Sequence, residues 1–157
     1  MTVIAWDGES LAADRQANEG GLRHTTTKIK RIEKGKFKGC LMGAAGSASQ
    51  GLVMMSWFES GADPSFFPQY QDSDDTAAQL VVITKDKEIL RFDFNPIPIV
   101  FHDDKYAIGS GRDLAIGAMA MGADATRAVE VAIQFDTGCG MGINVIPFKS
   151  RKVRRGN

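Results

Sequence analysis

The stretch Thr2-Val3-Ile4-Ala5-Trp6-Asp7-Gly8-Glu9-Ser10-Leu11-Ala12-Ala13-Asp14 decides the fold. Residues 2–6 form a β-branched and apolar run, Asp7-Gly8 signals a tight turn, and residues 10–14 can run back as the second arm of a hairpin. The chain therefore opens with antiparallel strands. Residues 15–25 are polar and glycine-containing and read as a loop. Residues 27–32 and 37–42 then flank Glu33-Lys34-Gly35-Lys36 as a second hairpin.

Ser47 and Gln50 match a capping box, and Leu52, Val53, Met55, Trp57 and Phe58 fall within a helix that stops at Gly61. Residues 62–75 hold Pro64, Pro68 and several acids without periodicity, which predicts mainly loop. Residues 80–84 and 88–94 form a third hairpin around Lys85-Asp86-Lys87, and 106–108 is a short strand. Residues 113–121, closed by Gly122, and 124–135, opened by Asp124 as N-cap, read as consecutive helices. A last strand covers 143–148. Strands and helices in separate blocks predict an α+β fold: two stacked antiparallel sheets with helices outside, a four-layer αββα sandwich.

At 157 residues the chain suits one sizeable core, so 1–148 read as a single domain followed by a basic tail, 149–157. Nineteen basic residues balance nineteen acidic ones, which removes any global field for nucleic acid or an anionic membrane. The tail has five basic residues in its first seven and reads as a solvated terminus ahead of a contact for nucleic acid or an acidic partner, or as a dock for a neighbouring subunit. Cys40 and Cys139 offer no disulfide framework or zinc spacing, and neither a signal sequence nor a membrane span of roughly 18 apolar residues is recognisable. A cytoplasmic location is expected.

His24 and His102 lie far from any GxSxG nucleophile elbow, and no HExxH pattern is present. Gly109-Ser110-Gly111 lacks the third glycine and the βαβ context of a dinucleotide site. No cofactor or metal is expected. What remains is the N-terminus. A threonine hydroxyl and a free α-amine on one residue make a compact pair, because an amine with a reference pKa near neutrality can take the hydroxyl proton without a histidine. Removal of Met1 would uncover that pair at Thr2.

The order of several short motifs gives Thr2 its weight. They are Thr2-Val-Ile-Ala, Leu11-Ala-Ala-Asp14, Lys28-Ile-Lys-Arg-Ile32, Gly43-Ala-Ala-Gly46-Ser-Ala48, Tyr106-Ala-Ile-Gly-Ser-Gly111, Ala128-Val-Glu-Val-Ala-Ile-Gln-Phe-Asp136 and Gly138-Cys-Gly140. Together they resemble the proteasome β-type subunits, N-terminal-nucleophile (Ntn) hydrolases, and among these the HslV branch, including short proteasome-like proteins of bacteriophage genomes. The resemblance implies that Thr2 attacks the scissile carbonyl, that Lys28 lies beside it as a cation paired with Asp14, and that the Gly46 N–H meets the oxyanion. Ser110, Asp136 and Cys139 would form a supporting polar network, with Cys139 standing where the family has serine. The substrate pocket would be lined near residues 43–45.

The resemblance also implies a homo-oligomeric ring that degrades unfolded polypeptides delivered by an ATP-dependent unfoldase. Residues 62–75 stand where the family has a second long helix, and with Met1 attached no threonine amine is free. Two other readings therefore stay open: an inactive ring-forming assembly protein with the same fold, and an amidohydrolase that turns the same Thr2 chemistry on a small amide.

Overall fold

The structure is a computed structural model and describes residues 1–69 and 77–149. The expectations for 70–75 and for the tail beyond Lys149 lie outside the described residues. In chain order the elements are β1 (Ile4–Trp6), β2 (Ser10–Asp14), β3 (Gln16–Glu19), β4 (Leu22–Thr25), β5 (Ile29–Arg31), β6 (Leu41–Ala45), α1 (Ala48–Glu59), β7 (Gln79–Ile83), β8 (Ile89–Phe92), β9 (Ile99–Phe101), β10 (Tyr106–Ile108), α2 (Arg112–Ala120), α3 (Ala125–Phe135) and β11 (Ile143–Pro147).

The strands form a four-stranded sheet in the order β10-β1-β2-β11 and a five-stranded sheet in the order β5-β6-β7-β8-β9, with β3-β4 as a separate hairpin. Every pairing is antiparallel, with Ile4 opposite Ala13 and Trp6 opposite Leu11 in the opening hairpin. Strand side chains alternate in direction, so each buried strand feeds two layers. Ile4 and Trp6 of β1 and Val81 and Ile83 of β7 meet between the sheets. Val3 and Ala5 face α2 and α3, while Leu80 and Val82 face α1. The architecture is the four-layer αββα sandwich that the block order predicts. Burial on both faces also explains why these strands read as continuous apolar runs. Each fully buried Ile or Leu contributes about 1.5–3 kcal/mol relative to exposure.

Two local expectations are corrected, and one strand was not anticipated. Residues 15–25 are a hairpin, β3 turning at Gly20-Gly21 into β4, and not a loop. Its residues are largely exposed and carry no hydrophobic alternation, so pairing rests on backbone hydrogen bonds and a two-residue glycine turn, with Gly20 at φ +58°. The strand expected at 37–42 begins at Leu41, because Phe37 turns inward to stack on Phe58 at 4.3 Å and Gly39 takes φ +94°. Finally, β9 follows Pro96 and Pro98 as an exposed edge strand, a position that tolerates proline nearby.

The helices begin where their caps dictate. Ser47 accepts from the Gln50 N–H at the start of α1, and Asp124 accepts from the Arg127 N–H at the start of α3. After α1, the described part of 62–75 holds one 3-10 turn, Pro64–Phe66, where the resemblance would place a long helix.

Candidate active site

Thr2 lies just ahead of β1 and is 5% exposed. Its carbonyl accepts from the Gly111 N–H at 3.1 Å, which fixes the chain end against the β10–α2 turn. Gly109, at φ +96°, makes this approach feasible, since a Cβ there would strike the Thr2 carbonyl.

Lys28, just ahead of β5, donates from Nζ to Thr2 Oγ1 at 3.0 Å and to Asp14 Oδ1 at 2.8 Å. Asp14, the last residue of β2, is fully buried. Its Oδ1 also accepts from the Val3 N–H at 3.1 Å, and its Oδ2 accepts from the Gln16 N–H at 3.2 Å and the Gly140 N–H at 3.1 Å. A buried carboxylate is tolerable when it is saturated in this way, and the saturation aims the ammonium at Oγ1. A cation so placed stabilises negative charge developing on that oxygen.

A second set of groups meets the backbone nitrogen of Thr2, which donates to Ser110 Oγ at 3.2 Å. Ser110 in turn donates to Asp136 Oδ2 at 2.7 Å. Asp136 follows α3, and its carboxylate also accepts from the Gly138 N–H at 2.8 Å and the Cys139 thiol at 3.5 Å. Burial alone would raise the Asp136 pKa, but these bonds from Ser110, Gly138 and Cys139 hold it below the usual carboxylate value. The Cys139 thiol is pushed up to about 12 by burial first and then by the charges of Asp14 and Asp136. It therefore stays protonated at neutral pH and acts as a donor, the role that the resemblance gives to serine at this position.

Thr2 and Lys28 open onto a cleft of about 530 Å³ whose far wall is Gly46, Ser47 and the start of α1. Gly46 has φ +102°, and a Cβ there would sit 2.6 Å from the Ala77 carbonyl oxygen, so only glycine fits. Of residues 43–45, Ala44 alone lines the cleft. Strand alternation turns Ala45 into the core between the sheets and sets Gly43 against Ile29 and Ile4, so the pocket is narrower in sequence than expected and is completed by Gly51, Leu52 and Met55. Lys28 has the only ionisable side chain among the described lining residues.

Met1 is part of the geometry. Its carbonyl accepts from Thr2 Oγ1 at 2.7 Å and from Lys28 Nζ at 3.3 Å, and its side chain lies directly over Gly138. The structure thus gathers all seven expected residues into two linked clusters and a cleft wall. Sequence reasoning did not anticipate the Gly140 N–H on Asp14 or the side chain of Gln16 beside it. Gly140 belongs to a quoted motif and was findable, whereas Gln16 sat in a segment read as loop.

Among the described residues no group of three or more His, Cys, Asp or Glu could hold a metal, and no helix is long and apolar enough to cross a membrane.

No protein-family model matches the chain, and no curated protein matches it significantly by sequence. Solved structures do match by shape. Thiobacillus denitrificans BPH in complex with epoxomicin superposes with a TM-score of 0.69 at 20% identity, over 96% of this chain and 100% of that one. The same BPH without the inhibitor gives 0.67 at 20% identity, over 95% and 99%. Eukaryotic HslV from Trypanosoma brucei gives 0.66 at 22% identity, over 93% and 97%. The chain thus shares the fold of these structures, the αββα sandwich of the HslV and proteasome β-subunit type, as the motif order implied.

Proposed function

We propose that this protein is an N-terminal-threonine peptidase that cleaves peptide bonds of unfolded polypeptides. The observation that carries the reading is the line from Asp14 through Lys28 Nζ to Thr2 Oγ1, at 2.8 and 3.0 Å in a buried setting. Once Met1 is removed, the freed α-amine of Thr2, beside Ser110 and Asp136, takes the hydroxyl proton directly or through water. Oγ1 attacks the substrate carbonyl, and the Gly46 N–H receives the oxyanion. The protonated amine then returns its proton to the leaving amine, and water releases the acyl group from Oγ1. Apart from Lys28 the cleft carries no ionisable side chain among its described lining residues, which supports substrates with uncharged side chains at the cut.

A cytoplasmic, closed homo-oligomeric ring with an ATP-dependent unfoldase as partner completes the reading. Exposed Leu114 and Ile116 on α2, Met121 just after it and Phe135 at the end of α3 support contacts of this helical layer with other copies. Residues 1–148 are read as one domain. The test is turnover of an unfolded polypeptide by Met1-trimmed protein: Thr2→Ala should abolish it. Activity retained in Thr2→Ala would refute the assignment.

One observation favours a second reading for the untrimmed chain. With Met1 attached, its carbonyl engages both Thr2 Oγ1 and Lys28 Nζ, which supports the reading of an inactive ring-forming assembly protein as far as catalysis is concerned.

A further inference from the structure

We infer that Gln16 is a positioning residue of this site, holding the turn 136–140 so that both carboxylates keep their orientation. The inference rests on the peptidase reading above. Gln16 is 3% exposed and lines the cleft beside Thr2. Its side-chain amide uses both hydrogens: Nε2 donates to Asn18 Oδ1 at 2.9 Å and to the Thr137 carbonyl at 3.1 Å. The second bond spans 121 residues of sequence and ties the root of the β3–β4 hairpin to the middle of the turn.

On the hairpin side the turn is also held by the Arg15 N–H, which donates to the Gly140 carbonyl at 3.0 Å. Gly140 is pressed against the amide, because a Cβ on it would lie 2.7 Å from Gln16 Oε1. That contact sets the height of the Gly140 N–H, which is one of the two donors on Asp14 Oδ2; the other is the backbone N–H of Gln16 itself. At the opposite end of the turn, Asp136 takes Ser110 on Oδ2 and Gly138 on Oδ1. The buried amide, together with the Arg15–Gly140 bond, therefore braces the groups that orient Lys28 through Asp14 and the Thr2 nitrogen through Ser110. Glutamine suits the position: it supplies two donors without a charge, and a carboxylate there would meet Asn18 Oδ1 and the Thr137 carbonyl with no hydrogen to offer.

Catalytic groups displaced by a fraction of an ångström lose rate while substrate contacts elsewhere persist, so the expected signature is in kcat more than in KM. The experiment compares trimmed wild type with Gln16→Met and Gln16→Glu. Peptide turnover is read together with the rate and final stoichiometry of labelling by a peptide epoxyketone. Each variant should label to completion, with labelling rate and kcat lowered roughly tenfold or more and KM within about twofold. Asn18→Ala, which leaves the bond to Thr137, should lose less than either. A residue that merely supports the fold would give a reduced labelled fraction with wild-type rate in that fraction, and this result in the Gln16 variants, or wild-type kcat in both, would overturn the inference. Wild type that neither turns over peptide nor labels would instead overturn the peptidase reading itself.

Discussion

Two carboxylates reach Thr2 by different routes, Asp14 through the ammonium of Lys28 and Asp136 through the hydroxyl of Ser110. Asp14 ends a central strand, is fully buried and accepts four hydrogen bonds from four different parts of the chain. Asp136 ends a helix, is half-buried, and takes its side-chain partners from its own turn and from Ser110. The first carboxylate is built into the sandwich, and the second is attached to it. Chemistry and folding should therefore be inseparable at Asp14 and separable at Asp136.

The sharpest way to break that contrast is Lys28→Ala. It leaves a buried carboxylate without its cation, a change that typically costs about 3–5 kcal/mol, and turnover should fall below detection. Urea unfolding checks it, and a loss under about 1 kcal/mol would show that Asp14 is not held as described. Next in size is Gly46→Ala, where a Cβ 2.6 Å from the Ala77 oxygen at φ +102° should cost about 1–3 kcal/mol and lower the turnover rate at unchanged Thr2 labelling stoichiometry.

Ser110→Ala tests the other carboxylate. Ser110 is exposed, so unfolding should shift by no more than about 0.5 kcal/mol while turnover falls about tenfold. An equal loss in stability and activity would erase the distinction between the two sides.

The smallest effect at neutral pH is expected of Cys139→Ser, with turnover within about twofold of wild type. Its consequence appears in alkali. The thiol's folded value, about 12, stands above its ordinary 9.0, so the protonated form is favoured by folding. The stabilisation is complete below the ordinary value and is lost as pH rises from there toward the folded one. Unfolding midpoints compared at about pH 8 and about pH 10.5 should therefore drop further in wild type than in Cys139→Ser. In the native protein at about pH 8 the thiol should resist a disulfide exchange reagent that reacts after denaturation.

The division between built-in and attached also marks what was legible in the sequence. Thr2, Asp14 and Lys28 sit at or beside the ends of strands whose apolar runs and turns read directly, but their convergence was implied by the resemblance alone and not by the layer order. Ser110 and Asp136 received their places only from the motifs that carry the resemblance. The β3–β4 hairpin was missed because its residues are solvated and its pairing uses the backbone, which leaves no side-chain period to read. Gln16 was missed with it: its role depends on a contact 121 residues away, and no local pattern carries such a contact. The restriction of the pocket to Ala44 among residues 43–45 follows from strand alternation, which was hidden because the expected strand ended at Met42 and left those residues outside it.

The most direct test of the central claim is the intact mass of the protein as it accumulates in its native host, before and after exposure to a peptide epoxyketone. The proposed chemistry predicts loss of the Met1 mass and then a single adduct that maps to Thr2. Retention of Met1 with no adduct would contradict the peptidase and leave the sandwich as a silent module.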